Sequence, residues 1–591
     1  MLALQAPNGA SWRNVETQFR AVSPQLQRVP LAGSMRLLPV VPVALSLLAG
    51  RAWLSGSGRR SRFRMSPYRM VVSESAVIAE AKKKQAPEVN QKITPRSEDW
   101  SAWYLDVIAS SDLVDDAPVR GCKILKPNGL AIWDGIKNLF DPKFQEMGVE
   151  NAYFPLLIPL DFFSKEADHV AGFATECAVV THHRLKRVER ETEGGGKVSA
   201  IEVDPESALE EPYVIRPTSE TIVWHMYSKW ISSYRDLPMK MNQWVNVMRW
   251  ERRTKPFLRS AEFLWQEGHT AHATREEADS QAREVLDLYA SVATDDLLLP
   301  LVPGRKSENE RFAGAVETYT IECMTQNGMA LQAGTSHFLG QNFAKAFDVS
   351  FLTKSQKTEL VWSTSWGVST RLVGAVIMVH SDDDGLVMPP ALAKIQVVIV
   401  PLPNKKEEVQ RKIDKATAEL KAQLIAGGVR AHVDDRPGMK PGNKYYDWER
   451  KGVPLRLELG ARDLEQGTAL AKMRTGGSKF PVPLGEHVAE EVREALEGVK
   501  REMRAKAEAL RENLTFRIDT KEQFLERMAQ REPGFLWVPW GGTGDDEEKI
   551  QEETGATLRC LPFEQDPVPE GTLCPLTGNL AKEWAVFAPS Y

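Results

Sequence analysis

Residues 249–272, RWERRTKPFLRSAEFLWQEGHTAH, concentrate side chains that could grip a nucleotide. Arg249 and Glu251 alternate, so on a strand they project to one face. A Pro-interrupted, cation-rich loop follows, and a second strand is expected to carry Arg259, Phe263 and Trp265. A guanidinium can hold a phosphate oxygen bidentately, and an aromatic ring can stack on a base. The plain alternative is an antiparallel hairpin with solvated charges and a half-buried aromatic face.

Three further segments point the same way. In RPTSE (216–220), Thr218 and Glu220 are two apart, and on a strand they would face one side. A carboxylate beside a hydroxyl receives a substrate ammonium group well; the alternative is a turn with a capping Thr. In LQAGTSHFLGQNF (331–343), Gln332, Thr335 and His337 offer neutral polar groups around an expected small-residue turn, and Gly334 lets backbone approach a ligand. In WSTSWGVSTRLVGAVIMVHSDDDGLVMPP (362–390), Arg371 follows Ser369 and Thr370 and opens an apolar, helix-like run. A cation beside the free N–H groups of a helix start suits a terminal phosphate.

Several folded bodies must position these groups. The chain has 591 residues, and its 42% apolar and 26% charged content is ordinary for a soluble globular protein. The net charge of −5 is uneven: residues 1–70 hold ten Arg, no Lys and one acid, Glu16, a formal +9 that leaves −14 on the rest. An acidic body neither supports nor excludes an RNA partner, because binding needs only a local basic face. Five scattered cysteines suit a reducing compartment. Residues 1–70 read as an organelle-targeting region, plastid or mitochondrial. The apolar run at 37–50 is too short and too Pro-broken for a membrane span, so no membrane association is expected of the mature form. A polar lead-in covers 71–92. The first folded body spans 93–390 and mixes a helix near 129–148 with short strands near 152–159, 329–335 and 373–380. A Gly-rich hairpin tip or loop lies within 186–211. A strand–helix–strand rhythm at 394–500 indicates an α/β domain with a mainly parallel sheet, and a long charged helix leads to a smaller module at 501–591.

In order and spacing, RWE…PFLR…FLWQEGH, GVSTRLVGAVIMVH and GLAIWDGIKNLF…ENAYFPLLIP resemble the signatures of class II aminoacyl-tRNA synthetases. ITPRSEDWSAWYLDVI, HVAGFATECAVVT, RPTSE, PFLRSAEFLWQEGHTA and LQAGTSHFLGQNF are similar to the prolyl-tRNA synthetases of archaeal and eukaryotic type, across roughly 93–591. The resemblance implies an α/β multidomain protein: an antiparallel catalytic sheet with flanking helices, an α/β anticodon-binding domain and a small α+β C-terminal domain. It implies ATP-dependent ligation of L-proline to tRNA(Pro) through a prolyl-adenylate, with Mg²⁺ accompanying ATP, in a homodimer whose contact includes Pro155. Arg249 and Arg371 would be catalytic. Thr218, Glu220, Arg249, His337, Phe173, Glu176 and Trp265 would bind proline. Arg249, Glu251, Arg259, Ser260, Phe263, Gln332, Thr335, Ser369, Thr370 and Arg371 would bind ATP. Arg436, Lys440, Lys444 and Arg456 would touch RNA.

Two departures qualify the likeness. Relatives often hold zinc through four Cys in the last domain, where this chain has Cys560 and Cys574 alone, so zinc is not expected. About 90 residues separate the second and third signatures, too few for the editing insertion of bacterial-type relatives. The alternatives are a sister class II enzyme for threonine, serine or glycine, or a non-catalytic synthetase-like tRNA-binding protein.

Overall fold

The computed structural model describes residues 92–164, 176–192, 195–251 and 253–591. The targeting region, nearly all of the lead-in and the candidate Phe173 lie outside the described residues.

Helix α1 (Trp100–Ser110) starts at Asp99, whose carboxylate accepts from the N–H groups of Ser101 and Ala102. Helix α2 (Pro127–Glu146) opens on Pro, which lacks an N–H that would go unpaired there. Its Ile132, Ile136, Phe140 and Phe144 recur every four residues and form one buried stripe. Strand β1 (Glu150–Asn151) then pairs with β2 (Met239–Met248). Between them, helix α3 (Glu220–Trp230) begins at the RPTSE segment. The sheet continues through β3 (Glu262–His272), β4 (Leu301–Arg305), β5 (Glu317–Met324), β6 (Ala330–Gly340) and β7 (Trp362–Ser369). Helix α4 (Arg275–Asp295) is capped by Thr274 and lays Ala278, Ala282, Val285, Leu286 and Tyr289 into the main core.

The run 373–380, read as a strand by its β-branched residues, is part of helix α5 (Arg371–His380). Every residue from Leu372 to Val379 is buried, so periodicity could not separate a wholly buried helix from a buried strand. The expected strand at 152–159 shrinks to Leu157–Pro159, which pairs with Ala208–Ile215 in a small three-stranded sheet. The Gly-rich segment is a hairpin of Leu185–Glu191 and Lys197–Val203.

Residues 397–513 form the expected α/β body. Strands β8 (Val397–Pro401), β9 (Ala431–Val433), β10 (Leu455–Leu459), β11 (Thr468–Met473) and β12 (Phe480–Pro483) lie in the order β9-β8-β10-β11-β12. The sheet is mixed rather than mainly parallel: β9, β8 and β10 pair in parallel, β11 runs antiparallel to β10, and β12 runs antiparallel to β11. Helices α6 (Glu407–Ala426) and α7 (Val488–Asn513) cover it. Two residues proposed to touch RNA are instead interior. Lys444 donates to the Asp434 carbonyl at 2.8 Å, and Arg456 is paired with Glu449 at 2.6 Å and Glu458 at 3.2 Å. Arg436 is held by Asp434 and Asp447, which leaves Lys440 as the exposed candidate.

The last segment does not form a separate sheet. Its strands β13 (Thr515–Arg517), β14 (Phe535–Trp540), β15 (Thr557–Pro562) and β16 (Glu583–Ala588) join the catalytic strands. The result is one eleven-stranded sheet, β13-β14-β16-β15-β4-β5-β6-β7-β3-β2-β1. The seam pairs Gly304 with Pro562 and Arg305 with Leu561. A Cβ on Gly304 would come within 2.6 Å of the Leu561 carbonyl, so only glycine lets the strands close there. Among the described residues, no helix is long and apolar enough to cross a membrane.

Candidate active site

A cavity of about 260 Å³ opens on one face of the sheet. Phe263, Trp265 and Glu267 alternate along β3 and all line it, as do Ser365, Gly367 and Ser369 on β7. Strand β6 adds Gln332, Thr335 and His337. Their spacing does not fit simple alternation. The expected small-residue turn is instead continuous strand, and an irregularity opposite Ile321/Glu322 sets Gln332 against Glu322 while Thr335 faces Thr320. That extra residue returns Gln332 to the face of Thr335 and His337. Gly367 sits between Glu267 and Thr335 in register, and its missing side chain leaves space for a ligand. Gly367→Val is expected to cut activity roughly a hundredfold by displacing the reactants, with the thermal midpoint little changed; melting curves beside substrate turnover test this.

Thr218, Glu220, Arg249 and Arg371 also line the cavity. Thr218 and Glu220 are brought together, but not on a strand. Ser219 donates its N–H and its hydroxyl to Glu267, at 3.3 and 2.6 Å, and helix α3 starts at Glu220. The Thr218 hydroxyl donates to Glu220 across this tight turn. Arg249 lies one residue past β2: its N–H still donates to Ala261 at 2.8 Å, but the Trp250 N–H goes to the Glu176 carbonyl at 2.7 Å and the ladder ends. Glu251 therefore does not share a strand face with Arg249; it points to Arg259, 3.9 Å away. Arg259 precedes β3 and is half-exposed, while Ser260 is buried. Thr370 is also buried, its N–H donating to Leu264 at 3.0 Å, so it supports Ser369 and Arg371. Ser369 accepts from the Arg371 N–H at 3.2 Å. Glu251, Arg259, Ser260, Thr370 and Glu176 flank the cavity rather than line it.

Charge is unevenly divided along the cavity. Arg249 donates from Nε to the Pro217 carbonyl at 3.1 Å and lies over the rings of Phe263 and Trp265, at 5.7 and 5.4 Å. Burial pulls its pKa below the usual guanidinium range, against the opposing charges of Glu220, Glu176, Glu267 and Glu251. Arg371 is brought down to about 10, first by burial and then by Arg259 and Arg249, with Glu322 opposing. One end is thus rich in carboxylates and the other in guanidinium groups. His337 lies one register step beyond Thr335, opposite Ser365 and Thr318; its Nδ1 shares a hydrogen bond with the Thr318 hydroxyl at 3.0 Å, and its ring is stacked on Phe312 at 4.4 Å. Burial disfavours charge on His269, but its hydrogen bond to Glu267 and the charges of Glu220 and Glu267 leave its pKa raised.

Sequence reasoning missed Glu267, Glu310, Phe312 and Thr318. Glu267 was within reach, two residues beyond Trp265 on one strand. Glu310 and Phe312 lie in the irregular segment 306–316, where no periodicity marks a facing direction. In the last domain, Cys560 is buried in a strand core and Cys574 in a neighbouring cluster, while Asp546 caps a helix through Thr543. Among the described residues, no three His, Cys, Asp or Glu converge as metal ligands.

The family described as tRNA synthetase class II core domain (G, H, P, S and T) matches residues 202–380. An anticodon binding domain matches 396–495, and the C-terminal domain of prolyl-tRNA synthetase matches 521–591. The proline–tRNA ligase of Bacteroides fragilis is 51% identical over 501 residues, covering 84% of this chain and 99% of its own. That of Porphyromonas gingivalis is 50% identical over 501 residues, covering 85% and 99%. That of Cytophaga hutchinsonii is 50% identical over 501 residues, covering 85% and 100%. The chain belongs to the prolyl-tRNA synthetases. These relatives are bacterial, so they do not carry the archaeal and eukaryotic subtype inferred from motifs. For a prolyl-tRNA synthetase, the class II core explains the antiparallel strands β2 to β7, and the anticodon-binding match falls on the mixed sheet of β8 to β12.

Proposed function

We propose that the cavity aligns proline and ATP, with Arg249 between them. The chain is an ATP-dependent proline–tRNA ligase of class II. The carrying observation is the charge division of one cavity: Thr218, Glu220 and Glu267 at one end, Arg371 with Arg259 at the other, and Arg249 near both. Glu220, with Thr218, receives the imino group of proline, and Trp265, Phe312 and His337 enclose its ring. Arg249 meets the proline carboxylate and the α-phosphate. A carboxylate oxygen attacks the α-phosphorus, pyrophosphate leaves, and prolyl-adenylate remains. Little covalent work falls to the protein; alignment and neutralised repulsion supply the rate. Phe263 stacks on the adenine, and Arg371 holds the triphosphate tail. Glu310 and Gln332 are the cavity oxygens that would hold Mg²⁺ accompanying ATP, and the ion would supply neutralisation of phosphate charge. The 3′-terminal ribose hydroxyl of tRNA(Pro) then attacks the activated carbonyl and releases AMP.

An amino-acid panel in ATP–pyrophosphate exchange tests this reading. Proline alone is expected to give strong exchange; comparable exchange with threonine, serine or glycine would point to a sister specificity.

Three further parts of the reading rest on their own observations. A homodimer is supported by apolar side chains left exposed beside Pro155: Tyr153 at 75%, Leu157 at 40% and, on the paired strand system, Val179 at 49%. The archaeal and eukaryotic subtype is supported by segment 273–361, which is taken up by α4, the core strands β4 to β6, a short helix and a small hairpin. An organelle address is supported by the ten arginines in residues 1–70 and by a chain longer than relatives it matches almost end to end.

A further inference from the structure

We infer that Arg559, contributed by the C-terminal segment, is a positioning residue for the ATP tail. The inference rests on reading Arg371 as the anchor of the triphosphate.

Thr318, Thr320 and Glu322 alternate along β5, and Thr318 lines the cavity. Glu322 therefore lies on the cavity face, yet its side chain is 0% exposed. Two cations cover it. Arg559 on β15 donates from Nε and Nη2 to Oε2 at 3.1 and 3.0 Å. Lys306, just beyond β4, meets Oε1 at 3.1 Å, and the Thr320 hydroxyl donates to the same oxygen at 2.8 Å. Both carboxylate oxygens are thus engaged, half of them across the seam between the catalytic strands and the C-terminal ones.

Arg371 is tied to this cluster through one strand. Gln332 pairs with Glu322 across β5 and β6, and its carbonyl accepts from Arg371 at 3.5 Å. Glu322 is the carboxylate whose charge acts on Arg371 most, and Arg559 opposes it. Lys306 stays on Oε1, so an Oε2 released from Arg559 would turn its unpaired charge on Arg371. Arg371 would then be drawn toward Glu322 and away from phosphate. Arg559 touches no substrate in this scheme; it keeps Glu322 neutralised so that Arg371 faces the cavity.

The test uses the full-length protein in ATP–pyrophosphate exchange, with ATP and proline varied separately. Arg559→Met keeps the stem and removes the charge. It is expected to raise the KM for ATP roughly tenfold with the KM for proline little changed. Arg559→Lys should retain most of the ATP affinity. Glu322→Gln combined with Arg559→Met removes both charges, leaves Lys306 its second partner Glu310 at 3.6 Å, and should recover the ATP KM. An unaltered ATP KM in Arg559→Met, alongside a raised one in Arg371→Ala, would overturn the inference and spare the site assignment. So would equal losses for both substrates that the double variant does not recover, the mark of a purely structural seam. An unaltered ATP KM in Arg371→Ala would overturn the site assignment itself, and this inference with it.

Discussion

Arg249→Ala is expected to lower proline-dependent ATP–pyrophosphate exchange by about two to three orders of magnitude while the protein remains folded. Arg249 lines the cavity, pinned by the Pro217 carbonyl and the rings of Phe263 and Trp265. Its truncation opens space into an existing solvent-accessible hollow rather than a void in the core. The fold therefore loses little. The reaction loses a cation flanked by Glu220 and Glu267 on the proline side and grouped with Arg371 on the phosphate side. Without it, two anionic reactants must approach each other beside buried carboxylates. Arg249→Lys keeps charge but not the planar fork, and should recover only part of the rate. Near-normal exchange in Arg249→Ala, with an unchanged melting profile, would defeat the assignment.

Glu220→Gln is expected to raise the KM for proline by about ten- to a hundredfold, the usual worth of a hydrogen bond to a charged group, and to leave the KM for ATP nearly as it was. Glu220 is buried at the first position of helix α3. Glutamine keeps the shape, so the turn held by Ser219 and Glu267 should survive. What disappears is the negative charge facing the imino group. Saturation curves for proline at fixed ATP provide the measurement; a shift confined to ATP would place Glu220 elsewhere in the reaction.

Much of this site was legible in the chain because its parts are local. Ser369, Thr370 and Arg371 stand together in the chain, though the buried run after them reads as strand or helix alike, and Phe263 and Trp265 follow from strand alternation. The partial failures share a cause. Alternation was extended past the point where a ladder ends, so Glu251 and the Thr218–Glu220 pair were placed on strands that stop at Met248 or never form. The bulge that admits Gln332 depends on β5, not on the sequence of β6. Lys444 and Arg456 read as surface charges because Asp434 and Glu449, which help to bury them, lie on other segments, although Glu458 stands two residues from Arg456 on the same strand. The sheet shared between residues 301–305 and 557–562 is a pairing across some 250 positions, which no window of sequence contains.

That shared sheet also bears on biosynthesis. Strands β2 to β7 leave the ribosome well before β15 and β16, so the nascent catalytic half has β4 as an open edge while the remaining residues are made. Open edges invite mispairing with other chains. Glu322 meanwhile waits without Arg559. The ATP end of the cavity would thus be completed only after translation of its own messenger is almost finished, and prematurely terminated products would carry an unpaired strand edge.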